Sequence, residues 1–304
     1  MQSRCAYRGQ NLLTCHLIYH QIDVEILDQD VGALFVLRRA GILASDASLD
    51  QADPRDLALA QKLVQEMGGL PLALDQAGAY IEEVQCSLSD YLERYRQYRA
   101  ELLKERGGLV SDHREPVATT WTLSFEKIEE HHPAAADLLR VCAFLQPDAI
   151  PEEILLEGAP HLGQEVQHLA TNPLAFDQAL KALFSYSLIQ RNRSEHLISV
   201  HQLVQAVLKD AMDQTMYRLW AERTIQAVEA TLPEVDHHTK KWYERCLSHA
   251  QGCAVLVEQE HVTSSVATRL LYQTACYLHE YAHYGEAEPL YHCAHVAQKI
   301  LPQG

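Results

Sequence analysis

Apolar residues between positions 28 and 106 recur every three or four residues, which is the period of amphipathic helices rather than the alternation of strands. Val31, Leu34, Phe35, Arg38 and Ile42 follow Asp28, a residue placed to cap the first turn, so the spacing predicts a helix over 28–44. Asp53-Pro54 supplies an N-cap and a first-turn proline for a second helix. Its stripe is Leu57, Ala60, Leu63, Val64 and Met67, and Gly68-Gly69 ends it. A third helix starts at Pro71 and carries Leu72, Leu74, Ala77, Ala79, Tyr80 and Ile81. Ser87 with Asp90 three residues on resembles a capping box, and Tyr91, Leu92, Tyr95, Leu102 and Leu103 follow in a helix expected to stop at Gly107-Gly108.

The polar, turn-prone stretch Gly107 to Pro116 predicts a boundary, with helices beyond it at 117–130, 134–145 and 151–158. Near residue 176 the pattern changes. An apolar helix, Phe176 to Tyr186, leads into Leu188-Ile189-Gln190-Arg191, a turn at Asn192 to Glu195, and the alternating His196-Leu197-Ile198-Ser199-Val200. This order, helices followed by one hairpin at 188–200, is a winged-helix pattern. Further helices are predicted at 215–230 and 241–258. Leu271, Ala275 and Leu278, a turn at Tyr284-Gly285, then Ala287, Tyr291 and Ala294 have the small-and-large spacing of a nesting tetratricopeptide helix pair. The predicted fold class is mainly α, with blocks at 1–22, 23–106 (four helices), 107–214 (winged helix) and 215–304 (helical repeat).

Composition narrows the chemistry. The 304 residues are 47% hydrophobic and 22% charged, an ordinary folded chain. Lys and Arg number 25 against 41 Asp and Glu, a net charge of −16 that opposes binding to nucleic acid. Lys181, Arg191 and Arg193 could reach a DNA backbone from the winged helix, but three cations are too few, since non-specific binders neutralise about 6 to 10 phosphates. Eight cysteines are scattered without a C-x-x-C pair and read as reduced thiols. No apolar run approaches about 18 residues and the first residues lack a signal-peptide pattern, so a cytoplasmic protein without membrane attachment is expected. Cys276, His279 and His283, followed by His292, Cys293 and His295, could offer soft ligands, but their spacing is not a zinc pattern and no metal is expected. There is no G-x-x-x-x-G-K-[ST], no paired acids ending an apolar run, no G-x-S-x-G and no H-E-x-x-H, so the chain is not expected to be an enzyme.

Gly68-Gly69-Leu70-Pro71-Leu72-Ala73-Leu74, at a helix-to-helix turn, resembles the GLPL motif of the NB-ARC class of signal-transduction ATPases. Val200-His201-Gln202, at the end of the hairpin, resembles that family's MHD motif, and tetratricopeptide arrays are common in bacterial members. The resemblance covers about residues 11 to 304. It implies that Pro71, flanked by Gly69 and Leu70, packs near the adenine of ADP or ATP and that His201 meets the β-phosphate of ADP, once a nucleotide-binding core is supplied. It also implies protein partners at the helical-repeat end, with oligomer formation allowed, and a common cleft for Pro71 and His201 if the units fold together as in the family. Three features depart from the pattern. The phosphate loop and magnesium-binding acid are absent, Gln202 stands where the motif has an acid, and in Leu12-Leu13-Thr14-Cys15-His16, which looks like a late core strand, Cys15 and His16 replace a threonine and a sensor arginine. By residue chemistry alone, Pro71 equally suits a helix start and His201 a helix cap.

Overall fold

A computed structural model describes residues 26–103, 117–233 and 239–300. Leu12 to His16 and the Gly107 to Pro116 boundary lie outside them. The chain divides at Tyr91–Leu92 into two compact units.

The first unit holds α1 (Gln29–Arg39), α2 (Pro54–Glu66), α3 (Pro71–Val84) and the start of α4 (Leu88–Leu102). Its helices begin where the sequence punctuates them. Asp28 Oδ1 accepts from the amides of Asp30 and Val31, and Asp53 Oδ1 from that of Arg55. Ser87 and Asp90 cap reciprocally: the Asp90 amide donates to Ser87 Oγ at 3.1 Å and the Ser87 amide to Asp90 Oδ2 at 3.4 Å. The α1 helix stops at Arg39, short of the expected residue 44, and Gly41 (φ +68°) turns the chain away. Val36, Leu37, Leu63, Val64, Leu74 and Ile81 form the buried centre. Arg39 ties α1 to α3 through Asp75 (2.9 Å) and Glu82 (2.6 Å).

The second unit continues from α4 into α5 (Val117–His131), α6 (Pro133–Phe144), β1 (Ile150–Pro151), α7 (Glu152–Glu157), α8 (Gln164–Thr171) and α9 (Pro173–Ser185). It proceeds through β2 (Gln190–Asn192), β3 (Leu197–Ser199), α10 (Gln202–Asp210), α11 (Gln214–Thr231), α12 (Lys240–Gln259), α13 (Ser265–Glu280) and α14 (Tyr284–Ile300). The expected hairpin is present as β2 and β3, with Arg191 opposite Ile198. Elements beyond the expected ones include the short helix α8, and β1, which pairs antiparallel with β3 so that the sheet has three strands in the order β1-β3-β2. The α13–α14 turn also differs. It lies at Tyr281 to His283, with Ala282 at φ +63°, and Tyr284 and Gly285 already belong to α14.

One apolar core runs from Ile128 to Ala294 and crosses residue 214 without a break. Leu271, Ala275 and Leu278 on α13 and Ala287 and Ala294 on α14 are buried, and the two helices pack against each other. Polar side chains are embedded in this unit. Glu152 forms a two-pronged pair with Arg191 (Oε2 to Nη2, 2.8 Å), and Glu229 forms another with Arg269 (2.8 Å). Gln205 donates from Nε2 to the carbonyls of Cys142 (2.7 Å) and Leu145 (3.0 Å), which satisfies acceptors at the end of α6.

Candidate functional site

The turn from α2 to α3 is built by its glycines. Gly68 and Gly69 have φ of +61° and +67°, and the Gly69 amide donates to the carbonyl of Val64 at 2.9 Å. The Gly69 carbonyl accepts from the Leu27 amide at 2.8 Å, and a β-carbon at Gly69 would lie 2.3 Å from the Leu27 carbonyl oxygen. Only glycine combines the left-handed backbone with that close approach. Leu70 precedes α3 without a side-chain cap, and Pro71 is its first residue, where a missing N–H costs nothing. Leu70, Pro71 and Leu72 are half-buried. Gly69, Leu70 and Pro71 therefore sit together in one turn of the first unit.

His201 belongs to the second unit, at the N-cap of α10. Its Nδ1 accepts from the Leu203 amide at 3.2 Å, so in the neutral ring the proton resides on Nε2. The ring is half-buried, 6.4 Å from that of Trp121. The residue is held from the strand side as well: the Val200 amide donates to the carbonyl of Pro147 at 2.8 Å. The capping role open to His201 from sequence is thus its place in the fold. Gln202, the first residue of α10, is half-buried.

The other singled-out side chains are placed as follows. Arg191 is engaged by Glu152 and approaches Asp177 (3.8 Å), whereas Lys181 and Arg193 are exposed. Cys276 accepts a hydrogen bond from Tyr291 Oη at 3.4 Å, and His279 is exposed beside Tyr284. Among the described residues, no group of three or more His, Cys, Asp or Glu gathers as a metal site would, and no helix is long and apolar enough to cross a membrane. Cys142, Cys246 and Cys253 are buried, and that burial pushes each thiol up to about 12.

His249 was not singled out by the sequence reading. It is fully buried on α12, accepts at Nδ1 from the Gln146 amide (3.3 Å) and donates from Nε2 to the carbonyl of Ala149 (3.1 Å). Burial lowers its proton affinity, partly opposed by the Ala149 bond. Its signal was the α12 stripe Tyr243, Cys246, Ala250 and Cys253, whose helical spacing turns position 249 inward. Beside it Gly252 lets α12 come close: a β-carbon there would lie 2.9 Å from Gln146 Nε2. One turn earlier, Arg245 Nη2 donates to the Glu195 carbonyl (3.0 Å) and reaches Glu153 (3.3 Å).

Comparison with known proteins bears on the second unit most directly. Residues 126–217, from within α5 to the start of α11 and including His201, match a family model described as a domain of unknown function, DUF7779. Over 244 residues, 76% of its length, the chain is 26% identical to a nucleotide-binding leucine-rich repeat (NLR)-like protein of Hyaloscypha variabilis. The chain spans only 23% of that relative. No solved structure matches.

Proposed function

We propose that this chain is the regulatory, non-catalytic part of an NB-ARC-type, nucleotide-dependent signalling switch. The first unit would present Pro71, with Gly69 and Leu70 behind it, as an apolar contact for adenine. The second would present His201 to the β-phosphate of ADP. The phosphate loop and magnesium-binding acid would come from a separate nucleotide-binding core, and ATP or ADP would bind only with that core present. The helices of residues 240–300 would receive protein partners, whose arrival changes how firmly nucleotide is held.

One observation carries the reading: the histidine of the MHD-like motif is fixed at the start of α10, where its Nδ1 accepts from the Leu203 amide. An imidazole can hydrogen-bond a phosphate oxygen and respond to its loss. The similarity to an NLR-like protein over three quarters of the chain supports the same assignment. The test is ADP release from a complex of this chain with a nucleotide-binding core. His201→Ala is expected to weaken ADP retention by about 1 to 3 kcal/mol, the cost of losing a hydrogen bond to a charged group. Equal release rates for wild type and His201→Ala would refute the assignment.

A further inference from the structure

The loop between α6 and β1, residues 145–149, is held from two sides. From α12, His249 accepts the Gln146 amide and donates to the Ala149 carbonyl. From the junction of β3 and α10, Val200 donates its amide to the Pro147 carbonyl, and Ser199 Oγ accepts from the Ala149 amide at 3.4 Å. Pro147 thus lies between the two residues that His249 grips, and its acceptor ends on the residue preceding His201. Ala149 has φ +54°, a backbone state that a residue with a β-carbon keeps only when its surroundings impose it. The His249 bond to its carbonyl and the Ser199 bond to its amide are such constraints.

We propose that His249 is a positioning residue that couples the helices of residues 240–300 to His201 through the backbone of residues 146–149. A displacement of α12 releases the Gln146 amide and the Ala149 carbonyl, the loop relaxes from the left-handed state at Ala149, and Pro147 ceases to anchor Val200. His201 then loses the fixed backbone from which it caps α10. The coupling runs through a contiguous set of hydrogen bonds. It deepens the nucleotide-switch reading by supplying a route from a partner-receiving end to the nucleotide-facing histidine, and it rests on that reading for its purpose but not for its physics.

Amide hydrogen exchange of the full chain, resolved by residue, tests it. His249→Ala should raise exchange at both Gln146 and Val200 by about tenfold, while the Leu37 amide in the first unit keeps its wild-type rate. His249→Gln, whose amide can both donate and accept, should leave the two rates within about threefold of wild type. Faster exchange at Gln146 with no change at Val200 would overturn the coupling. Equal effects of His249→Ala and His249→Gln would also overturn it, because packing rather than hydrogen bonding would then hold the loop. Should His249→Ala not fold, His249→Leu keeps much of the side-chain volume but can neither accept from the Gln146 amide nor donate to the Ala149 carbonyl. A rise at both amides then supports the proposal, and an unchanged Val200 overturns it. None of these rates involves nucleotide. If Val200 responds but His201→Ala leaves ADP release unchanged, the coupling stands and the nucleotide assignment falls.

Discussion

The α2–α3 turn and the β3–α10 junction both launch a helix, yet different parts of the chain secure them. At the first, the fixing contacts are backbone to backbone: Gly69 with Val64 within the turn, and Gly69 with Leu27 from the segment before α1. At the second, His201 caps locally, but the loop that steadies it is gripped by His249, 103 residues beyond Gln146 in sequence. The first kind of site tolerates changes to neighbouring side chains and none to its glycine. The second depends on distant polar groups whose removal leaves the loop's backbone partners at Gln146 and Ala149 without those bonds.

The sharpest way to break this contrast is Gly69→Ala. A methyl group would have to displace the Leu27 carbonyl while the backbone holds φ +67°, so a loss of about 3 kcal/mol is expected in the first unit. The three tryptophans, Trp121, Trp220 and Trp242, all lie in the second unit. Denaturant unfolding followed by circular dichroism should therefore gain an early phase, while the tryptophan fluorescence midpoint stays put. Coincident shifts of both signals would show that the units do not unfold separately.

Next in size is Glu152→Gln, which leaves the inner end of Arg191 without its carboxylate. Because the Arg191 guanidinium keeps some access to water, the expected loss is about 2 kcal/mol, below the 3 to 5 typical of fully buried pairs. This loss should appear in the tryptophan fluorescence midpoint.

A third expectation concerns pH. His249 has a folded-state proton affinity below its ordinary value of 6.5, so the unfolded chain binds the extra proton first. The contribution of His249 to stability is fully present above pH 6.5 and is lost as pH falls from there towards the folded-state value, at up to about 1.4 kcal/mol per pH unit. Unfolding of the second unit measured between pH 7.5 and 5.5 should show this slope, and His249→Gln should flatten its own share of it.

The smallest effect has the opposite sign. Gly285 lies in the first turn of α14 with nothing within 4 Å of where a β-carbon would be, so Gly285→Ala should stabilise by about 0.5 to 1 kcal/mol. A thermal melt that falls instead would mean that this helix start needs glycine as the α2–α3 turn does.

These contrasts also account for what could be read from sequence. Asp28, Asp53 and the Ser87–Asp90 pair act on amides two or three residues away, so a cap and its partner fall within one glance along the chain. The hairpin was visible because its alternation and its turn are adjacent. Strand β1 was not, since it is two residues long, one of them proline, and it becomes a strand only by pairing with Leu197 and Ile198. Helix α8 contributes few buried residues, chiefly Val166 and Leu169, too few to set a period. Gln205, Glu152 and His249 look like ordinary polar residues of helices, and what distinguishes each is a partner 39 or more residues distant. The places of Gly69, Leu70 and Pro71 at a helix-to-helix turn and of His201 at a helix start were legible from the pattern. Their local roles, a helix-starting proline and a capping histidine, were among the readings that residue chemistry already allowed.

The three buried thiols give the second unit a built-in clock. Cys142 on α6 and Cys246 and Cys253 on α12 line one continuous core, and at neutral pH nearly all of each is protonated and out of reach of an alkylating reagent. Their modification must wait for the surrounding helices to part. If α12 lifts away as one piece, Cys246 and Cys253 should be alkylated in step while Cys142 lags. If the core opens only as a whole, all three should react at a common opening rate. The order in which these sulfurs react would thus time the parting of α12 from the rest of the second unit.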